Sequence, residues 1–179
     1  VLNKMLRPKS VAVIGASATP GKIGYTVIKN LQNGGYKGKI YPINNNTPEI
    51  LGLKAYVNVT DVPGEVDSAI ITVPAKYMSE VTEECGKKGV KGLIVITSGF
   101  SEVGRKDLED EMLSIAARYG MRILGPNIVG SLSNSDKFNG SFAPGLPFPG
   151  KASLVTQSGA LLIALDMATY TKHVGFDKL

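Results

Sequence analysis

Two residue types are nearly missing from the 179-residue chain: it has one cysteine, Cys85, and one histidine, His173. A single cysteine excludes an internal disulfide. No apolar stretch approaches the ~18 residues of a membrane-spanning helix, and no signal peptide precedes the first strand-like run, so a cytoplasmic protein with no membrane partner is expected. The basic residues are scattered and not interleaved with aromatics as in single-strand binders, so no nucleic-acid partner is expected either. What is present is a mild excess of positive charge, 20 Lys and Arg against 15 Asp and Glu for a formal +5. That favours anionic ligands in general. The length suffices for one full domain and part of another. The chain starts at Val1, and its last residues, "HVGFDKL", carry no closing cap or turn, so a fragment or a trimmed chain is expected.

Strand-like runs recur at "SVAVIG", "KIYPIN", "SAIITVP", "GLIVITSG", "RILGPN" and "ASLVTQ". Most are dense in Val and Ile without strict alternation, which suits strands buried on both faces of a parallel sheet. Helical patterns lie between them. Ile23, Val27 and Leu31 repeat at i, i+4, i+8 before Gly34 and Gly35; residues 76–88 carry Val81 and Cys85 inward, with Lys87 and Lys88 in the last turn; Leu108, Met112, Ile115, Ala116 and Tyr119 form a stripe closed by Gly120. This alternation predicts an α/β fold, a doubly wound parallel sheet. The rhythm breaks at "LSNSDKFNGSFAPGLPFPGK", which reads as a linker or irregular loop. A second α/β unit is expected to begin near Ala152 and to stop after one strand and one helix.

In an open parallel sheet the ligand lies beyond the carboxyl ends of the strands. The segments there are "GASATPGKIG", "INNNTPE", "VPAKY", "TSGFSE" and "GPN". They are small, polar or proline-bearing, and hold no carboxylate pair, metal cluster or Ser/His/Asp set, so no metal is expected. After Gly15 the next glycine is Gly21, so the dinucleotide fingerprint G-x-G-x-x-G is absent. The short Ala16, Ser17 and Ala18 still let a backbone approach an anion at a helix start. The second strand ends in Asn44, Asn45 and Asn46, where an NAD site wants an acid for the ribose hydroxyl. Such an end tolerates an extra ribose phosphate, as in NADP or coenzyme A, with Lys22, Lys37, Lys39 and Lys54 as the nearest basic residues.

In this order, "RPKSVAVIGAS…PGKIG", "GKIYPIN", "EVDSAIITVPA", "ITSGFSEVG", "YGMRILGPN" and "TQSGAL" resemble the CoA-binding domain of NDP-forming acyl-CoA synthetases, the superfamily of the succinyl-CoA synthetase α subunit. The resemblance covers nearly the whole chain. It implies a Rossmann-like CoA-binding domain over 1–147 and the start of a flavodoxin-like, succinyl-CoA synthetase-like domain over 148–179. It implies a CoA diphosphate near Gly15, Ala16, Ser17, Ala18 and Thr19, with Gly21 and Lys22 completing the turn. The nucleotide would lie against Asn44, Asn46, Val73, Pro74 and Ala75, and the pantetheine along Ile96, Thr97 and Ser98, with Asn127 of the "GPN" turn alongside. Where the family usually ends the second strand with a lysine that meets CoA phosphate, Asn44 or Asn46 stands here, and Ile128 follows "GPN" where a cysteine is common.

The family's phosphohistidine lies downstream of the "TQSGAL" turn, beyond Leu179, so the resemblance implies no catalytic residue in this chain. It implies that the helix start at Ser158, Gly159 and Ala160 faces that phosphate. ADP or ATP and Mg would be bound elsewhere in the full enzyme, by an ATP-grasp subunit or domain, in an oligomer. His173 reads as a helix-end or surface residue, and Cys85 as a small buried hydrophobe. Two other readings stay open: a CoA- or nucleotide-sensing module of a protein acyltransferase, and an NADP-dependent oxidoreductase domain.

Overall fold

The computed structural model describes residues 1–179. A short helix, α1 (Leu2–Leu6), leads into five strands, β1 (Ser10–Ile14), β2 (Lys39–Ile43), β3 (Ser68–Ile71), β4 (Gly92–Val95) and β5 (Arg122–Leu124). They form one sheet in the order β2-β1-β3-β4-β5, every neighbouring pair parallel. All five coincide with the Val- and Ile-rich runs. Consecutive residues of a strand point to opposite faces, and here both faces are covered. Val11, Val13, Ile70 and Ile94 meet Val27, Ile28 and Leu31 of α2 (Ile23–Asn33). Ala12, Ile14, Ala69, Ile71, Leu93 and Val95 meet α3 (Met78–Lys88) and α4 (Lys106–Arg118) through Met78, Val81, Cys85, Met112 and Ala116. With no polar face, the strands have no reason to alternate.

The register brings the strand ends level: Ile14 stands opposite Ile43 and Ile71, and Ile71 opposite Val95. The turns that follow these four strands therefore open along one edge. A short 3-10 turn (Val59–Asp61) but no α-helix links β2 to β3, and the outer side of β2 carries a single parallel bridge between Ile43 and Tyr56. β1 and β3 thus meet where the winding of the sheet reverses, the place at which open α/β sheets bind ligands.

The segment that reads as a linker is ordered β structure. An antiparallel hairpin runs through β6 (Gly130–Ser133) and β7 (Phe138–Ser141), both buried throughout. Its asparagines, and Asn30 of α2, donate to backbone carbonyls. Asn134 Nδ2 donates to Pro147 O at 2.5 Å, Asn139 Nδ2 to Gly145 O at 2.9 Å, and Asn30 Nδ2 of α2 to Ser141 O and Ala143 O. Phe138 is fully buried in the core beneath α2, edge-on to Tyr36.

The strand expected near Ala152 begins at Pro149, and a further strand follows the helix. β8 (Pro149–Ser153), α5 (Gly159–Lys172) and β9 (Phe176–Lys178) make a parallel βαβ turn, and the second sheet has the order β8-β9-β6-β7. His173 closes α5 in a left-handed conformation, edge-on to Phe148. β8 is an edge strand whose five residues are all exposed. No helix is long and apolar enough to cross a membrane.

Candidate functional site

The turn after β1 is set by Gly15, whose φ of +89° an L side chain rarely adopts. A Cβ there would also stand 2.6 Å from Thr72 Oγ1. Gly15 N donates to Ile43 O, and Thr72 Oγ1 donates to Ile14 O and Gly15 O at 3.1 Å, so the ends of β1, β2 and β3 are tied together. Ala16 is buried, Ser17 Oγ accepts from Thr19 N at 3.0 Å, and Ala18, Thr19, Gly21 and Lys22 are exposed. α2 then starts at Ile23 with Lys22 as its N-cap, without a side-chain cap or an acid in its first turn. Its first N–H groups and the positive end of its dipole are left for an outside acceptor. Gly24 brings this helix start onto the turn, because any Cβ would overlap the Gly15 carbonyl.

Beside this turn a cleft of about 220 Å³ is lined by Ile23, Thr72, Val73, Pro74, Ile96, Thr97 and Ser98. Five of these seven are residues singled out from sequence, and Ala75 directly follows Pro74. Ile23 was expected on the buried stripe of α2. At the helix start it is instead 46% exposed and lines the cleft, while Val27 and Leu31 are fully buried. Thr97 Oγ1 donates to Val73 O at 2.7 Å, and Asn127, itself left-handed, donates its N–H to Thr97 O at 2.9 Å. Asn127 lines a separate, mainly apolar cavity of about 200 Å³ together with Gly159 and Leu179.

Asn44 has a different use from that of a free donor. Its Nδ2 donates to Ala16 O at 2.8 Å and its Oδ1 accepts from Asn46 N and Thr47 N, so both ends of the amide hold the two loops in shape. Asn46 remains exposed. Lys37 and Lys39 lie at the start of β2, the opposite end of the sheet from the cleft, and Lys54 sits over the Tyr56 ring. Of the nearby basic residues named from sequence, Lys22 alone adjoins the turn.

Glu102 is a positioning residue that sequence reading missed. Its carboxylate accepts from Gly99 N at 2.5 Å and Phe100 N at 3.1 Å, fixing the loop after Ser98. The Gly99 hydrogen bond, opposed by partial desolvation, holds this carboxyl below its ordinary range. The available signal was an acid three residues after a glycine just past a strand, in "GFSE". At the other helix start, Ser158 is the N-cap of α5, its Oγ accepting from Leu161 N at 3.2 Å, with Gly159 and Ala160 in the first turn. Cys85 is fully buried and its thiol pKa is pushed up by burial, which removes it from nucleophilic chemistry.

A family profile described as "CoA binding domain" matches residues 9–132. Acetate–CoA ligase (ADP-forming) I subunit alpha of Pyrococcus furiosus is 50% identical over 180 residues, a match covering 97% of this chain and 39% of that protein. Acetate–CoA ligase (ADP-forming) of Methanocaldococcus jannaschii is also 50% identical, over 96% of this chain and 24% of its own length. Among solved structures, the dinucleotide-forming acetyl-coenzyme A synthetase 1 of Ca. Korarchaeum cryptofilum, in complex with phosphate and ADP, superposes with a TM-score of 0.96 at 46% identity, over 99% of this chain and 38% of that one. The chain therefore spans well under half the length of these relatives. With the β1 turn, the reversal point of the sheet and the matched profile in agreement, the chain belongs to the CoA-binding domain family, in the form found in the ADP-forming acyl-CoA synthetases.

Proposed function

We propose that this chain is the CoA-binding part of an NDP-forming acyl-CoA synthetase, which interconverts acyl-CoA, ADP or GDP and phosphate with free acid, CoA and the nucleoside triphosphate. The observation that carries the reading is the cleft at the ends of β1, β3 and β4, beside an uncapped helix start, in a chain half identical to ADP-forming acetate–CoA ligases. The backbone around Gly15, Ala16 and Ser17 and the start of α2 would hold the diphosphate. Val73, Pro74, Ile96 and Ser98 would border the rest of CoA, with Ala75, Thr97 and Asn127 setting the shape of that wall. Asn44 would act through the loop it closes, and Asn46 would remain free to meet the nucleotide.

The rest of the reaction is proposed to depend on parts outside these residues. They are an ATP-grasp subunit or domain that binds ADP or ATP with Mg, and a histidine that carries the phosphoryl group past the start of α5. The proposed setting is the cytoplasm, and the proposed assembly an oligomer. We also propose the division into a CoA-binding unit over 1–147 and a second unit over 148–179, with the β6–β7 hairpin shared between their cores.

Titration calorimetry with CoA, NAD and NADP tests the reading. CoA is expected to bind most tightly, and tighter NAD or NADP binding would overturn it. Ser17→Glu sets a carboxylate in the β1 turn and is expected to weaken CoA by roughly 2 kcal/mol or more, through repulsion and blockage. Unchanged affinity would place the diphosphate elsewhere.

A further inference from the structure

Between α5 and the segment that precedes β8 lies a cleft that none of the CoA-site residues line. It is lined by Pro144, Gly145, Asp166, Met167 and Tyr170, with a volume of about 330 Å³. Asp166, on α5, is only 2% exposed, yet its Oδ1 has no hydrogen-bond partner. Its neighbour Thr169 donates to the Asp166 backbone carbonyl, at 2.6 Å, and leaves the carboxylate untouched. A buried carboxylate without a donor is strongly disfavoured, and native chains leave few such groups unpaired.

Among the wall side chains only the Tyr170 hydroxyl can donate, and it donates to Leu146 O instead. Beside the cleft, Phe148 N donates to Thr169 Oγ1 at 2.9 Å. The rim is apolar and open: Met167 and Tyr170 are 60% and 55% exposed. A buried negative group within an apolar, partly aromatic rim is complementary to a cation that sheds water readily. A divalent metal would require several oxygen ligands, and one carboxylate is present. An ammonium holds its water more tightly than a guanidinium, whose flat face also packs on an aromatic ring.

We propose that this cleft receives a guanidinium group, an arginine side chain presented by another polypeptide segment, which donates to the Asp166 carboxylate and lies against Tyr170. The exposed Met167 and Tyr170 would then be the apolar ring that excludes water from the buried pair, the arrangement typical of a strong interface contact. Burial with no charged partner lifts the Asp166 carboxyl to about 6, which still leaves it ionised and able to accept at neutral pH.

Carbon-13 NMR of the Asp166 carboxyl during titration with N-ethylguanidinium tests this. A saturable shift is expected, with ethylammonium binding at least about fivefold more weakly, and with the saturable component lost in Asp166→Asn. A capped arginine peptide that binds as well as ethylguanidinium supports a polypeptide source. A peptide that binds tenfold or more weakly assigns the cleft to free guanidinium compounds and overturns that part. Absence of any saturable shift on the unaltered chain overturns the site without reliance on a variant, as does undiminished binding by folded Asp166→Asn.

Discussion

The five-stranded sheet and the unit built on β8, α5 and β9 use different forces to hold comparable elements. In the sheet, two apolar clusters of 19 and 12 buried residues sandwich the strands, so hydrophobic burial dominates. Around β8, α5 and β9 the cluster has only five members: Leu162 and Leu179 with Val129, Leu132 and Ala143 from the hairpin region. Polar links supplement it. Asn134 also donates to Phe176 O, and Lys178 Nζ bonds Ser133 Oγ, Ser135 Oγ and Asp177. Asp136 receives Arg7 at 3.0 Å and Lys178 at 3.7 Å, so one carboxylate joins the N-terminal helix end to β9. The five-stranded sheet is thus held mainly by area, which tolerates small shifts, while the packing of β9 on the hairpin adds directed bonds, which do not.

Phe138→Ala gives the sharpest test of where one region ends and the other begins. Phe138 comes from the hairpin but is buried with Ile28, Leu31 and Ile70. Its removal is expected to destabilise the main cooperative unit by about 3–5 kcal/mol in urea unfolding. A loss under about 1 kcal/mol would mean that the hairpin belongs to the second unit alone. Asn134→Ala is expected to cost about 1–3 kcal/mol, seen by hydrogen exchange as faster opening of residues 146–148 and β9 while β1 and β4 keep their protection. Equal loss of protection in both regions would erase the contrast.

Asp166→Asn has the smallest expected effect and the opposite sign. The folded carboxyl titrates at about 6 against an ordinary 3.8. The folded chain therefore binds this proton more tightly than the unfolded chain, and stability falls as pH rises from about 4 through about 6. The variant lacks that decline. It is expected to be more stable than the parent by about 1–2 kcal/mol near pH 8, with the difference nearly gone near pH 3.5. A difference that does not change with pH would show that Asp166 has a donor in the folded chain.

The same contrast explains what could be read in advance. Strands buried on both faces must be apolar at nearly every position, so "SVAVI" and "GLIV" announce themselves. "GSLS" and "FNGS" are equally buried, but Ser133, Asn139 and Ser141 there pair with other side chains and with backbone carbonyls. Such pairing leaves no hydrophobic trace, so the hairpin resembles a loop. Around the cleft, Val73, Pro74, Ile96, Thr97 and Ser98 could be picked out because they lie at the carboxyl ends of strand-like runs, where an open parallel sheet forms its crevice, and Gly15 because a turn leaves β1 there. Asn44 shows the limit. An asparagine advertises donors and an acceptor, but whether they face a ligand or a neighbouring loop depends on contacts such as Ala16 O, 28 residues away along the chain.

The exposed edge of β8 has a consequence for how the protein behaves at high concentration. An unpaired edge is a template on which a second molecule could add a strand and begin a fibre. Pro149 has no N–H to offer such a strand, and the exposed Lys151 would bring like charges together in any self-pairing. These two residues within "PGKAS" make β8 a poor seed for aggregation while leaving its remaining backbone groups open to a correctly shaped neighbour.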